Sequence, residues 1–401
     1  MKIRPLQSKA VFVLLILPFF KLAGMSEYRW LSALFDALFL FSALVTVLLL
    51  VRERFRMSAL ARLNWALQGY LFVLTAIRGG LDSSLVRNTL GVALAVCLLE
   101  WWLLRSPRVV LEGLLWLFAA YALANAALGH GGLFQTYLFG QRTTLTVIGL
   151  PMMAVACYAG YLGYQKTRRL RFWVLAAAIL LGIGGMMVRE AVSTALLGAG
   201  VALAMVLLLR GGLLARIRPA AYVLGIAGYN FVIVVVQQFS YMRFLIETVL
   251  GKSMTLTGRL SIWNLTLAAI LRKPVFGYGF RQLFVSRGAY ATATAYVHNN
   301  FLQFWADGGI IGLALFLCLL VVAVRRIPLR EGVAPRLLFA WFVGMGMAMI
   351  SEAMTAYNYF YLVLVLLYHL EATLRAPMRR AGTPPTEGRP APWTHSNPSR
   401  C

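Results

Sequence analysis

The fold is decided by residues 299–324, which read NNFLQFWADGGIIGLALFLCLLVVAV. The stretch carries one acid, Asp307, and no base, and everything from Gly309 onward is apolar or small. A mostly apolar segment of about 20 residues is long enough to cross the hydrocarbon core of a membrane as a helix. The sequence therefore predicts a membrane-spanning helix here.

Eleven further segments of this kind occur in the chain. They are 10–26, 31–51, 58–77, 85–104, 109–128, 145–164, 172–188, 191–209, 219–238, 334–353 and 356–374. The composition agrees, because 61% of the residues are hydrophobic and 13% are charged, whereas about a quarter of the residues in a soluble domain are charged. We therefore predict an all-α polytopic membrane protein with about 12 transmembrane helices, and the composition excludes soluble globular and disordered chains.

The formal net charge of +25 permits two interpretations, an anion-binding surface or basic residues that orient the spans. With the amino terminus in the cytoplasm, 25 of the 38 lysines and arginines fall on the cytoplasmic side. The segments that hold them are 2–9, 52–62, 105–108, 166–171, 210–218, 325–336 and the tail from 375. The positive-inside rule thus predicts that both termini are cytoplasmic, and most of the charge sets orientation.

The chain is predicted to divide into a transmembrane domain, residues 1–375, and a disordered cytoplasmic tail, residues 376–401. The tail holds six of the fourteen prolines and cannot bury a core. The transmembrane domain includes one long outer segment, residues 239–298, between spans nine and ten. A connection of about 60 residues in a compact protein is usually functional.

Two amphipathic helices are predicted in this outer segment, lying on the membrane surface. The first covers Ser240–Leu250 and the second covers Gly258–Arg272, where Pro274 ends it and Gly277–Gly279 form a turn. One apolar face of the second helix is predicted to hold Leu260, Trp263, Leu267, Ile270 and Leu271.

Three outer arginines and one histidine are the candidate site residues. Arg259 lies in the first turn of the second amphipathic helix, where free backbone N–H groups also favour anions. Arg189 and Arg142 stand at outer ends of spans. His298 precedes span ten, and nearby arginines would keep its imidazole neutral and able to accept a proton. From spacing alone, arginines that reach lipid headgroups and a histidine that caps a helix remain alternatives.

The sequence contains no Walker-type phosphate loop, no HExxH motif and no pair of aspartates spaced for a divalent ion. The four cysteines have no partner at disulfide or metal spacing. We therefore predict chemistry that rests on arginines and a histidine, without a metal or another cofactor.

Three motifs resemble those of the bacterial O-antigen ligases and polymerases. One is Gly182–Ala191, a Gly-rich span end with Arg189. The second runs from Thr257-Gly258-Arg259 through Trp263 to the turn at 274–280, and the third is His298-Asn299-Asn300-Phe301-Leu302 followed by Asp307-Gly308-Gly309-Ile310-Ile311-Gly312. The loop Gln141-Arg142-Thr143 is similar to a further family motif, whereas Asp307 stands where many relatives carry Glu.

This resemblance implies a GT-C-like membrane glycosyltransferase of the bacterial inner membrane with its active site facing the periplasm. The donor would be an O-antigen polysaccharide on undecaprenyl pyrophosphate, held by Arg259, Arg189 and Arg142. The acceptor would be a sugar hydroxyl of lipid A–core oligosaccharide, deprotonated by His298, and the transfer would invert the anomeric centre. Membrane lipids surround such an enzyme, and nucleic acid is not among its expected partners.

Two other functions remain open from the sequence. An O-antigen polymerase would use the same donor chemistry with a second lipid-linked chain as acceptor. A transporter or flippase of lipid-linked oligosaccharides would instead place ionisable groups in mid-span, whereas the charges of interest here lie at one membrane face.

Overall fold

The computed structural model describes residues 8–128, 137–236, 259–284 and 296–375. The helices in these ranges are α1 (Lys9–Ile16), α2 (Arg29–Arg52), α3 (Ala59–Ile77), α4 (Ser83–Asn88), α5 (Leu90–Arg105), α6 (Pro107–Ala127), α7 (Leu150–Thr167), α8 (Arg171–Arg189), α9 (Ser193–Arg210), α10 (Pro219–Phe231), α11 (Arg259–Arg272), α12 (Asn300–Val324), α13 (Val333–Ala348), α14 (Tyr359–Tyr368) and α15 (Leu370–Arg375). π-Helical turns at Leu145–Gly149 and Val232–Val236 extend α7 and α10. The first predicted amphipathic helix and the predicted tail lie outside the described residues.

Every predicted span contains a helix, which confirms the all-α polytopic fold. Eight helical segments among the described residues are long and apolar enough to cross a membrane, and three shorter apolar helices accompany them. The remaining span corresponds to α3, which carries the polar residues Arg62, Asn64 and Gln68. The chain is therefore a multi-pass membrane protein.

The interior of the bundle is built around α7 and α13, and α2 lies at its edge. The α7 segment is 89% buried, whereas the corresponding part of α2 is 22% buried. Small residues allow close helix contact, because a Cβ on Gly344 of α13 would lie 2.3 Å from the Gly198 carbonyl oxygen of α9. The exposed apolar side of α2 is the surface expected to face lipid.

Basic residues that the sequence assigned to one side of the membrane do meet in the structure. Glu112 of α6 is 2% exposed and pairs with Lys9, with Arg108 at 2.8 Å and with Arg171 at 3.0 Å. Those three cations lie at the amino-terminal ends of α1, α6 and α8. We call this end of the bundle the Glu112 face; Arg189, at the other end of α8, lies on the opposite face.

Helix α12 is broken at Gly309, and the turn that follows α11 packs into the break. Gly309 has φ of 62° and ψ of −164°, outside the helical region. The N–H groups of Tyr278 and Gly279 donate to the carbonyls of Ala306 and Asp307, both at 2.8 Å. A Cβ on Gly309 would lie 2.0 Å from the Val275 carbonyl oxygen, so only glycine permits this approach.

Helix α13 ends at Ala348, five residues before the predicted end of span eleven. The physical reason is that the carbonyls after it bond elsewhere. The Asn300 N–H donates to the Met349 carbonyl at 2.9 Å, and the Asn299 side chain donates to the Ile350 carbonyl at 2.9 Å. The following residues, 349–358, form a non-helical connection to α14, apart from a short 3₁₀ turn at Met354–Ala356.

Candidate functional site

The buried carboxylate of Glu352, in the connection between α13 and α14, brings Arg259 and His298 together. Glu352 is 1% exposed, and its Oε1 forms an ion pair with Arg259 at 2.6 Å. Its other oxygen, Oε2, lies 3.6 Å from His298 Nδ1. Burying a carboxylate costs desolvation free energy, so a buried acid is expected to have a positively charged or hydrogen-bonding partner. Two of the four predicted site residues therefore converge on one acid.

Hydrogen bonds on both sides fix the segment that carries His298. Trp263 Nε1 donates to the Val297 carbonyl at 3.2 Å, and the Val297 N–H donates to Gln303 Oε1 at 2.9 Å. The Asn299 side chain accepts from the Leu302 N–H at 2.8 Å and so caps α12. His298 itself has φ of 56°, the left-handed region that few residues other than glycine occupy.

Helix α11 presents Arg259 to this acid because its buried face is anchored. Ile262, Trp263, Thr266 and Ile270 are buried, and they pack with a small apolar cluster from α12 and the end of α10. Leu271 differs from the prediction, since it is 76% exposed. It lies outside the face that contacts α12, so the predicted apolar stripe is narrower than five residues.

Tyr296 is a third group on Glu352. Its hydroxyl lies 3.4 Å from Glu352 Oε2 and accepts from the Ala353 N–H at 2.9 Å. Burial, followed by the Glu352 charge, raises the pKa of Tyr296 well above its ordinary value, and the cation Arg281 opposes that shift. The phenol therefore stays protonated and acts as a neutral donor towards the carboxylate.

Arg281 stands beside a small cavity next to this group. The backbone N–H of Arg281 donates to Asp307 Oδ1 at 3.1 Å, and Asp307 also accepts from Gln303 Nε2 at 3.0 Å. Arg281, Tyr296, Asp307 and Ala353 all line the cavity. A second arginine thus belongs to the neighbourhood of Glu352, held by the turn that packs into the break of α12.

The structure places the other two predicted arginines apart from Glu352. Arg189 is 75% exposed and pairs with Glu190 at 3.7 Å, although the two residues are adjacent in sequence. Arg142 is exposed at the end of a short loop whose Tyr137 bonds to Glu190. Among the described residues, neither arginine contacts the Glu352 group. A hydrogen bond of 3.0 Å between the hydroxyls of Thr194, near Arg189 in sequence, and Ser351 links the two regions.

Sequence reasoning missed Glu352, Tyr296 and Arg281 as members of the site. None of the three is among the candidate residues of the sequence analysis, which are Arg259, Arg189, Arg142 and His298. A usable signal was present, because an acid at the end of an apolar span needs a cation nearby. What could not be read was which cation, since residues 259, 298 and 352 lie far apart in the chain.

The other described histidine, His369, belongs to a different group of side chains. His369 lies 3.0 Å from the buried Glu100, which also accepts from Ser58 at 2.5 Å. His130 and His395 lie outside the described residues. Within the described ranges, no group of three or more His, Cys, Asp or Glu side chains is arranged to hold a metal ion.

Comparison with known proteins adds an independent finding. Residues 184–317 match the family model described as O-antigen ligase. This segment contains Arg189, Arg259 and His298, whereas Arg142 and Glu352 lie outside it.

Two curated proteins show the same likeness over a short region. The chain is 36% identical over 80 residues to a "Putative polysaccharide ligase" of Rickettsia typhi and 35% identical over 80 residues to one of Rickettsia prowazekii. Each alignment covers 17% of this chain and 20% of the relative. No solved structure matches the chain significantly. Over residues 184–317, the chain is therefore similar to the O-antigen ligase family.

Proposed function

We propose that the protein is an O-antigen ligase, a glycosyltransferase that moves a polysaccharide from undecaprenyl pyrophosphate to a sugar hydroxyl of lipid A–core oligosaccharide. The observation that carries the proposal is the convergence of Arg259 and His298 on the buried Glu352. A cation for the leaving group and a base for the nucleophile then lie beside the two oxygens of the same carboxylate.

Arg259 serves the departing pyrophosphate. One of its terminal nitrogens is engaged by Glu352, which holds the planar guanidinium while its other N–H donors remain for phosphate oxygens. Positive charge fixed in advance stabilises negative charge that grows as the glycosyl–phosphate bond breaks. Arg189 and Arg142 supply further charge to the same phosphates once the donor is bound, without a metal ion.

His298 acts as the general base. The acceptor hydroxyl oxygen attacks the anomeric carbon, the carbon–oxygen bond to pyrophosphate breaks, and the hydroxyl proton passes to the imidazole. Glu352, beside Nδ1, orients the ring and stabilises the imidazolium that forms. A base of this kind contributes about 10²–10⁴ in rate. A single displacement inverts the anomeric centre.

The enzyme works in the bacterial inner membrane, with both termini in the cytoplasm and the Glu352 group facing the periplasm. Both substrates are amphiphiles of the periplasmic leaflet, so a site at the end of the bundle meets both at the membrane surface. The clustering of Lys9, Arg108 and Arg171 on the Glu112 face supports this orientation through the positive-inside rule.

The test is transfer in vitro with purified protein and a lipid-linked donor. Lipid A–core and a second donor molecule are compared as acceptors, and extension of the donor would identify a polymerase. The His298→Ala variant should lose transfer, with His395→Ala as the matched histidine control. Full activity of His298→Ala would refute the base assignment, and transport of the donor without transfer would indicate a flippase.

A further inference from the structure

A second cavity, on the side opposite the Glu112 face, is lined by two cations, Lys21 and Arg87, and Asp36 pairs with both of them. The cavity has a volume of about 190 Å³ and is lined by the connection between α1 and α2, by α4 and by the end of the 349–358 connection. Lys21 Nζ donates to Ser32 Oγ at 2.8 Å and lies 3.4 Å from Asp36 Oδ1. Arg87 pairs with the same oxygen of Asp36. Two positive charges therefore share one negative charge.

The burial of these groups makes the excess charge significant. The Lys21 side chain is 10% exposed, whereas that of Asp36 is 43% exposed and partly hydrated. A nearly buried ammonium is costly unless an anion neutralises it. Lys21 has three donors and Arg87 has five, so both retain hydrogen-bonding capacity for a second anion after contacting Asp36.

The cavity is connected to the Glu352 group and to the lipid surface. Asn88 lines both this cavity and the one beside Arg281 and Tyr296. Asn358, six residues after Glu352, donates to the Phe19 carbonyl at 2.7 Å and ties the two walls together. On α2, Trp30 is 67% exposed and Leu34 is 48% exposed, close in sequence to Ser32 and Asp36. A headgroup can therefore enter beside a helix that faces lipid.

We propose that Lys21 and Arg87 bind a phosphate group on the headgroup of the glycolipid acceptor. The inference rests on the proposed function for the identity of that acceptor. Separate anion sites, one at Lys21 and Arg87 and one at Arg259, allow two phosphorylated lipids to be held at once. The acceptor then lies with its hydroxyls towards His298.

The experiment measures binding without any donor, so loss of transfer activity does not affect it. The full-length protein in detergent is titrated with lipid A–core that carries its phosphates, with the dephosphorylated form, with phosphatidylglycerol and with inorganic phosphate. Lys21→Gln and Arg87→Gln should each weaken binding of the phosphorylated form at least about tenfold, the loss of one charged hydrogen bond. Arg29 is an exposed cation at the start of helix α2, the helix that carries Asp36. The Arg29→Gln variant is the matched control and should bind the phosphorylated form normally.

Asp36→Asn distinguishes binding from a structural role. Removal of the competing carboxylate should leave phosphate affinity equal or higher, whereas a purely structural pair would lose both stability and binding. Lys21→Arg keeps the charge and should retain most binding. Each variant's unfolding midpoint is recorded alongside its affinity.

Three outcomes would overturn the assignment. The first is equal affinity for phosphorylated and dephosphorylated lipid A–core. The second is unchanged affinity in Lys21→Gln and Arg87→Gln, and the third is equal competition by phosphatidylglycerol or inorganic phosphate. If instead binding follows the expected pattern while His298→Ala retains transfer, the phosphate site stands and the proposed base fails.

Discussion

At the scale of single residues, the site is organised by an acid. Glu352 contacts Arg259, His298 and Tyr296, and it is the most buried member of the group. The carboxylate reaches none of the substrates in the proposed mechanism, so it is a positioning residue that acts through Arg259 and His298. Its removal should therefore change turnover more than substrate affinity.

Glu352→Gln keeps the shape and one acceptor oxygen but removes the charge. We expect kcat to fall by at least about 10²-fold, because the imidazolium formed at His298 loses its neighbouring anion. The KM values for both substrates should change little. Steady-state kinetics with each substrate varied will check this, with the unfolding midpoint as a control; a change confined to the midpoint would indicate a structural role.

Arg259→Lys tests the guanidinium fork. Lysine keeps the positive charge but cannot bond Glu352 and two phosphate oxygens in one plane. We expect the KM for the lipid-linked donor to rise about tenfold or more, the loss of a charge-assisted bond. Arg272→Lys, at the exposed far end of the same helix, is the matched control. Equal kinetics for both variants would remove Arg259 from donor binding.

In this mechanism, arginines supply the positive charge that stabilises the departing pyrophosphate. A chelator in the in vitro transfer assay should therefore leave the rate unchanged within error. Strong inhibition, reversed by adding back a divalent ion, would show that a metal takes part and would overturn that element of the proposal.

At the scale of elements, the break in α12 positions the site. The turn after α11 bonds to the open carbonyls of Ala306 and Asp307, and this contact fixes Arg281 beside Tyr296. The same contact locks the end of α11, and so α11, α12 and the 349–358 connection form one assembly. The two close glycines, Gly277 and Gly309, make that approach possible.

Gly309→Ala should destabilise this assembly. Alanine at a positive φ costs about 1 kcal/mol or more, and its methyl group would overlap the Val275 carbonyl. We expect a lower unfolding midpoint in detergent together with reduced transfer. Gly200→Ala in α9, where a methyl group meets no atom within 4 Å, should leave both unchanged. A normal midpoint for Gly309→Ala would mean that the turn does not hold α12.

At the scale of the whole molecule, charge is divided between two faces. Lys9, Arg108 and Arg171 surround Glu112 at one end, and the Glu352 group lies at the other. The separation follows the distribution of basic residues in the sequence. It also places the two proposed anion sites, at Arg259 and at Lys21, on the same side of the membrane.

Cysteine labelling tests the orientation. In a cysteine-free background, Leu81→Cys and Glu331→Cys place single thiols at exposed positions near opposite ends of the bundle. A membrane-impermeant maleimide added to spheroplasts should label the first and should label the second only after permeabilisation. The reverse pattern would invert the topology and place the site in the cytoplasm.

The sequence by itself determined the fold class, an all-α polytopic membrane protein. Membrane spans can be predicted from the sequence because a helix that crosses the lipid must be apolar over about 20 residues. This is a purely local property of the chain. The sequence also predicted Arg259 and His298 as site residues, and their chemical roles remain predictions.

Only the tertiary structure decided which of these residues meet. Glu352 was predicted at the end of a span, yet α13 stops at Ala348 because Asn299 and Asn300 bond the residues beyond it. The resulting connection carries Glu352 to Arg259 and His298, while Arg189 and Arg142 remain outside the group. Such contacts join distant parts of the chain, and periodicity and charge patterns contain no information about them.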